Sequence, residues 1–306
     1  MKKFDLFSDI VERTGGDIYI GVVGPVRSGK STFVKKFMEL MVIPNIADAN
    51  YRSRAKDELP QSGAGRTITT AEPKFIPSEA VEITIKDNIK FRVRLVDNVG
   101  YTVRGALGYE DENGPRMVST PWFEEEIPFQ EAAEIGTRKV IEEHSTIGLV
   151  ITTDGSVTDI PRENYVEAEE RIVQELKSIG KPFVVVLNTT QPYDEKATEL
   201  KQQLEEAYDV PVIPLDCQQI TVDDIYIILE QVLYEFPIME INVRMPAWIQ
   251  VLQREHWLRK QFEDSVKETM KDVKRLRDME NRIEMFKAYD FINNVVLKEM
   301  NLGSGI

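Results

Sequence analysis

A single cysteine, Cys217, in 306 residues excludes a disulfide framework within the chain and reads as a reducing compartment. Two histidines, His144 and His256, offer no metal-ligand spacing, and both read as structural residues. No apolar run is long enough to span a membrane, and the first residues lack the apolar core of a signal peptide. Basic residues are in deficit, 38 Lys and Arg against 52 Asp and Glu, for a net charge of -14. That balance argues against a broad nucleic-acid surface, so no nucleic-acid partner is expected. The local basic run of Arg52, Arg54, Lys56 and Arg66 reads as nucleotide-facing or solvated. The length suggests about two domains of roughly 150 residues each, and the bulk composition reads as a soluble intracellular enzyme.

Against these absences stands one dense motif. Gly24-Pro25-Val26-Arg27-Ser28-Gly29-Lys30-Ser31 fits G-x-x-x-x-G-K-[ST], the phosphate-binding P-loop. Asp17 to Val23 before it reads as a buried strand, and Thr32 to Val42 after it as a helix with Phe33, Val34, Phe37, Leu40 and Met41 on one face. Glycines let backbone N–H groups curl around a phosphate, and the helix N-terminus adds partial positive charge. Gly24, Arg27, Ser28, Gly29, Lys30, Ser31 and Thr32 are therefore expected to bind nucleotide. Lys30 would reach the outer phosphates, and Ser31 would ligate Mg²⁺.

Asn45 to Ser78 follows without a clear period and reads as a long functional loop. Val81 to Lys86 and Ile89 to Val96 alternate on either side of Asp87-Asn88, which predicts an antiparallel hairpin. Its second strand ends in Asp97-Asn98-Val99-Gly100, a Walker B carboxylate opening a D-x-x-G. Asp97 would hold Mg²⁺ through water, and Gly100 would donate its N–H to the γ-phosphate. P-loop, switch segment, antiparallel hairpin and D-x-x-G come in the order of the translation-factor-related GTPase class. Thr70, with Thr69 beside it, is the candidate switch threonine for Mg²⁺ and the γ-phosphate. The catalytic glutamine expected after D-x-x-G is replaced by Tyr101. Arg66, Arg104 and Arg116 are candidates for charge stabilisation.

Residues 101–128 read as an acidic insertion broken by glycine and proline, extending the second switch. Beyond it, helices over Phe129–Glu143, Glu163–Ser178, Glu195–Tyr208 and Val222–Tyr234 alternate with strands over Ile147–Thr152, Phe183–Leu187 and Val212–Leu215. Asp154 and Asn188 would lie at the carboxyl ends of strands, on the nucleotide side. Where a GTPase carries N-K-x-D, the chain reads Asn188-Thr189-Thr190-Gln191. Asn188 remains a nucleotide contact, but Gln191 cannot give guanine a charged acceptor pair. ATP is the expected nucleotide, with Mg²⁺.

Residues 1–236 therefore read as a P-loop domain and 237–306 as an extension. In the extension, Met239 to Met245 alternates like an edge strand. A long charged helix is expected from Trp248 past Met279, with an apolar stripe through Trp257, Phe262, Val266, Met270, Val273, Leu276 and Ile283. Packing on the nucleotide domain or on a following segment, and assembly with a partner, all suit that stripe. A short amphipathic helix with Phe4, Leu6, Phe7, Ile10 and Val11 is expected to dock on the protein's own core rather than on a membrane. The last residues, Asn301 to Ile306, lack a finished element, which reads as a chain cut inside a longer protein.

Longer stretches carry a resemblance. Arg13 to Tyr19, the P-loop, Asp57 to Ser62, Asn98 to Tyr101, Gly108 to Met117 and His144 to Gly148 resemble the stage IV sporulation protein A family of endospore-forming bacteria. The resemblance covers nearly the whole chain. It implies an α/β fold: a P-loop NTPase of the translation-factor-related class, with a mostly parallel sheet, one antiparallel hairpin strand and a helical extension that begins a middle domain. It also implies an ATPase that polymerises with itself into the basement layer of the spore coat. Such a protein sits in the mother-cell cytoplasm, peripheral to the forespore membrane surface. A small amphipathic membrane-anchoring peptide and other spore-coat proteins are the implied partners. Lys30, Asp97 and Thr70 fall on the family's Walker A, Walker B and sensor-threonine positions, and the family continues past residue 306. Two rivals remain open on the residues themselves: a regulatory GTPase, and a structural module that binds nucleotide without turnover.

Overall fold

A computed structural model describes residues 6–60, 73–85, 89–111, 114–120 and 122–306. In chain order the first elements are α1 (Leu6–Thr14), β1 (Asp17–Val23), α2 (Lys30–Phe37) and α3 (Ala49–Asp57). The hairpin follows as β2 (Lys74–Ile85) and β3 (Ile89–Asp97). Next are the short strands β4 (Glu110–Asp111), β5 (Gly114–Pro115), β6 (Met117–Thr120) and β7 (Phe123–Pro128). The alternating part comprises α4 (Phe129–Glu143), β8 (Ile147–Thr153), α5 (Val166–Ile179), β9 (Phe183–Asn188), α6 (Glu195–Tyr208), β10 (Val212–Leu215) and α7 (Val222–Tyr234). It is followed by α8 (Ala247–Val251), α9 (Trp257–Met270) and α10 (Asp278–Met285).

Six strands form one sheet in the order β10-β9-β8-β1-β3-β2. All neighbours are parallel except β2, which runs antiparallel to β3. The central strands are continuous apolar runs because helices cover both faces. Ile20, Val22, Leu95, Leu149, Ile151, Val184 and Val186 point to the side of α1, α2 and α7. Val96, Val150, Val185 and Leu187 point to the side of α4, α5 and α6. This is the expected α/β architecture, with its one antiparallel hairpin strand.

Helix α1 docks on the protein's own core, as its apolar face predicts. Phe7 stacks on Phe91 of β3 at 5.8 Å and meets Tyr226 of α7 edge-on at 5.4 Å. Phe4 lies outside the described residues.

Four local expectations are corrected. The stretch from Asn45 to Ser78 is not all loop: α3 forms inside it, because the Asp48 carboxylate accepts from the backbone N–H groups of Asn50 and Tyr51 and caps the helix. Only Ala55 of that helix is buried, so no apolar period announces it. The insertion at 101–128 is not free of regular structure, since β4 pairs with β5 and β6 with β7. Met239 to Met245 forms no strand; the N–H groups of Met239 and Glu240 both donate to the Gly305 carbonyl.

The long helix is three pieces, α8, α9 and α10. Leu252 is extended, and His256 restarts the helix by accepting from the Leu258 N–H on its ring. Residues 274–277 are captured by backbone pairing with Tyr234, Phe236 and Ile238. Arg275 and Arg277 close on the buried Glu235 at 2.9 and 2.6 Å. The expected single stripe is thereby dispersed: Leu276 is buried, whereas Trp257 is exposed. Both histidines are structural, His144 lying edge-on to Phe75 at 5.1 Å. Among the described residues no helix is long and apolar enough to cross a membrane, and no acidic, His or Cys cluster could hold a metal alone.

Candidate nucleotide site

The P-loop joins β1 to α2 at the carboxyl end of the sheet. Gly29 precedes α2 with φ +101, and a Cβ there would stand 2.2 Å from Asn188 Nδ2. That close approach is what Gly29 permits. Asn188, at the end of β9, uses both ends of its amide. Its Nδ2 donates to the Ser28 carbonyl at 2.9 Å, and its Oδ1 accepts from the Cys217 N–H at 3.0 Å. The P-loop is thus tied to the ends of β9 and β10.

Lys30 is buried and donates to the carbonyls of Pro25 at 2.6 Å and Gly24 at 3.2 Å. Burial lowers its pKa to about 8, against the opposing pull of Asp97. Ser31 Oγ donates to Asp97 Oδ2 at 2.6 Å. Burial raises the Asp97 pKa, opposed by the Ser31 hydrogen bond and by Lys30 and Lys74. Lys74 sits opposite Asp97 in the β2–β3 register. Asp97 Oδ1 is buried with no hydrogen-bond partner, and so is Ser28 Oγ. Unpaired buried oxygens carry a desolvation cost that a bound ligand can remove. A carboxylate and a hydroxyl in contact, with one carboxylate oxygen unspent, is an oxygen donor set that suits Mg²⁺ held jointly with phosphates. The residues present therefore fit the metal.

Gly100 lies against the same loop. With φ +84, its Cβ would stand 1.8 Å from the Gly24 carbonyl oxygen and 2.8 Å from Lys30 Nζ. The Tyr101 carbonyl accepts from the Val26 N–H at 2.9 Å. Tyr101 itself points away from the loop: it is buried, its hydroxyl donates to Glu175 at 2.5 Å, and the Arg171 guanidinium covers its ring at 4.6 Å. Thr32 is half-buried in the first turn of α2. Arg27 occupies the middle of the loop with φ +65. Gly24, Arg27, Ser28, Gly29, Lys30, Ser31, Thr32, Asp97, Gly100 and Asn188 are brought to one end of the sheet. Thr70, Thr69 and Arg66 lie outside the described residues.

Two of the candidate arginines are placed elsewhere. Arg116 donates to the Gly108 carbonyl at 3.1 Å and lies over the Phe129 ring at 5.2 Å. Arg104 is exposed, and its carbonyl accepts from Asn164.

The base side holds a lock that motif reading missed. Thr189 Oγ1 donates to Asp154 Oδ2 at 2.6 Å and accepts from the Gln191 N–H at 3.2 Å. The Thr190 N–H donates to Ser156 Oγ at 3.0 Å. The loops after β8 and β9 are zipped together where N-K-x-D would carry a lysine. The available signal was a hydroxyl in the lysine position and a carboxylate at the neighbouring strand end. Beneath this lock, Arg162 pairs with the buried Glu169 at 2.7 Å, and Tyr208 donates to the same carboxylate at 2.7 Å.

Sheet order, hairpin, P-loop and the Ser31–Asp97 contact define a P-loop NTPase domain followed by a helical part. Residues 1–237 match the family model described as stage IV sporulation protein A, ATPase domain, and residues 238–306 match that of its middle domain. The chain belongs to the stage IV sporulation protein A family. It is 58% identical over 306 residues to stage IV sporulation protein A of Bacillus anthracis and 56% identical to that of Bacillus subtilis. Over 302 residues it is 50% identical to that of Clostridioides difficile. It covers 99–100% of itself in these matches and spans 62% of the length of each relative.

Proposed function

We propose that the chain is a Mg²⁺-dependent ATPase whose nucleotide state drives self-assembly into the basement layer of the spore coat at the forespore surface. The observation that carries the enzymatic part is the Ser31 Oγ–Asp97 Oδ2 contact at 2.6 Å beside buried Lys30, with Asp97 Oδ1 unspent. The ATPase domain named in the matching family model supports the same reading. Lys30 would neutralise charge on the β- and γ-phosphates. Ser31 and Asp97 would hold Mg²⁺, which supplies Lewis-acid stabilisation of phosphate charge when bound. Gly100, packed on the Gly24 carbonyl, relates the γ-phosphate position to the second switch. Gln191 lacks the carboxylate that guanine recognition uses, which favours adenine nucleotides. Thr70 is proposed as the γ-phosphate sensor.

The assembly part rests on the family resemblance. A small amphipathic membrane-anchoring peptide and other coat proteins are its proposed partners, on the mother-cell side of the forespore membrane. Measuring ADP and GDP release from the purified chain with each triphosphate tests the enzymatic part. ADP release with ATP, abolished by Lys30→Ala, is expected. Strong preference for GTP would revive a regulatory GTPase, and binding without release would make the chain a structural nucleotide-binding module. Sedimentation of the full-length protein with and without ATP tests assembly.

A further inference from the structure

Arg27 stands in a backbone conformation that penalises side chains. Its φ is +65, and among the described residues only one other non-glycine residue, Asp209, has a positive φ. Glycine would occupy this position without strain. Strained positions of this kind persist where the surroundings over-determine them, and they gather at functional sites. Here both neighbours are anchored. The Val26 N–H donates to the Tyr101 carbonyl at 2.9 Å, and the Ser28 carbonyl accepts from Asn188 Nδ2 at 2.9 Å. The loop is thereby held to the second switch on one side and to the end of β9 on the other, with Arg27 between the two attachments.

Phosphoryl transfer needs positive charge where the γ-phosphoryl group separates, and an arginine supplied in cis or in trans commonly provides it. Two described arginines of the neighbouring loops are engaged elsewhere, and a third lies in solvent. Arg116 lies over Phe129, Arg162 is paired with Glu169, and Arg104 is exposed on the insertion. Arg27 is half-buried within the P-loop, and its guanidinium interacts electrostatically with the phenol of Tyr165. That phenol shares a 2.9 Å hydrogen bond with Thr158 in the loop after β8. The guanidinium therefore belongs to the nucleotide side of the sheet.

We propose that Arg27 is the arginine that stabilises, in cis, the charge developing on the γ-phosphoryl and β,γ-bridging oxygens during ATP hydrolysis. The proposal rests on the ATPase reading above. In the step it assists, a water oxygen forms a bond to Pγ while the bond from Pγ to the β,γ-bridging oxygen breaks. The electron pair of that bond stays on ADP, and the water proton leaves with inorganic phosphate. Arg27 remains protonated throughout and transfers nothing.

The test compares the full chain with Arg27→Gly and Arg27→Lys, with ATP and Mg²⁺, by ATP-binding titration and single-turnover hydrolysis. Arg27→Gly suits the left-handed backbone, so a thermal melt at or above that of the parent chain is expected. Its hydrolysis rate is expected to fall about 10³-fold or more, while its ATP dissociation constant changes by less than about tenfold. Arg27→Lys keeps a point charge without the planar fork, so it should recover only part of the loss. Guanidinium chloride at millimolar concentration should raise the Arg27→Gly rate and leave the parent chain unchanged. Arg27→Gly hydrolysing at the parent rate would overturn the proposal. So would a loss in which affinity and rate fall by the same factor. A parent chain that binds ATP and releases no ADP overturns the ATPase reading instead, so the two failures are distinguishable.

Discussion

The Tyr101 hydroxyl donates to Glu175 of α5 at 2.5 Å, so the residue after D-x-x-G is fastened to a helix face instead of reaching toward the phosphates. Glu175 also receives Arg138 of α4 at 3.4 Å, and Arg171 bridges from the Tyr101 ring to Glu134 at 2.8 Å. The second switch is thus pinned on its far side to α4 and α5. Tyr101 fills the place of a catalytic glutamine in sequence but not in geometry.

Tyr101→Phe removes that donor and keeps the ring. A hydrogen bond to a carboxylate contributes about 1.5–3 kcal/mol, so the melting temperature should fall by roughly 5 °C. Single-turnover ATP hydrolysis should change by less than about fivefold, because the hydroxyl does not face the phosphates. A collapse of the rate at unchanged stability would place Tyr101 in the chemistry and contradict this geometry.

Asn188→Ala should be more damaging than its place as a polar residue at the end of a strand suggests. It leaves the Ser28 carbonyl and the Cys217 N–H without their partner. Each unpaired buried group costs about 1–3 kcal/mol. The expected result is a lower melting temperature together with weaker ATP binding, since the P-loop loses its attachment to β9. Differential scanning calorimetry with and without ATP measures both. Unchanged ATP affinity would show that the P-loop shape does not depend on this clamp.

The parts of the chain that were legible share one property: their environment is written in their own residues. β1, β8 and β9 are apolar runs because both faces are covered, and α5, α6 and α7 repeat apolar residues on one side. The P-loop and Asp97 could be paired because strand, loop and helix came in register. What escaped depends on distant backbone. Met239 to Met245 alternates, yet its donors meet the Gly305 carbonyl. The stripe from Trp257 to Ile283 has helical spacing, yet residues 274–277 pair with 234–238 and Arg275 and Arg277 close on Glu235. Helix α3 rests on one capping carboxylate, Asp48, rather than on a buried face. In the site, the Thr189–Asp154 lock escaped because its two halves, a hydroxyl in the lysine position of N-K-x-D and a carboxylate at the end of β8, lie in separate loops and meet only in the fold.

Base choice is expected to follow from Gln191, next to this lock. ATP is expected to outcompete GTP at equal concentration in a labelled-ATP displacement assay. Gln191→Asp restores the charged acceptor that guanine uses, so it should shift the ATP:GTP preference toward GTP by at least about tenfold. The shift should be larger when combined with Thr189→Lys, which also opens the Thr189–Asp154 contact. If the wild-type chain prefers GTP, Gln191 is not the discriminating absence.

The pKa of Lys30 gives the site a pH signature. Burial holds it near 8 in the unliganded chain, below its ordinary value of 10.5. Between those values the unfolded chain binds more protons than the folded one, so this group's contribution makes stability rise with pH from about 8 to 10.5. The full effect is about 3 kcal/mol. ATP binding runs the other way. Phosphate charge favours the protonated ammonium, so the complex takes up a proton above pH 8 and affinity falls with further rise, by up to about tenfold per pH unit. Titration calorimetry in two buffers of different ionisation enthalpy, at pH 7 and pH 9, should show proton uptake only at the higher pH. Lys30→Met should bind ATP weakly at both pH values and show no uptake. Equal affinity of the parent chain at pH 7 and pH 9, with no proton exchanged, would mean that Lys30 is already fully charged in the unliganded site, contrary to what its burial imposes.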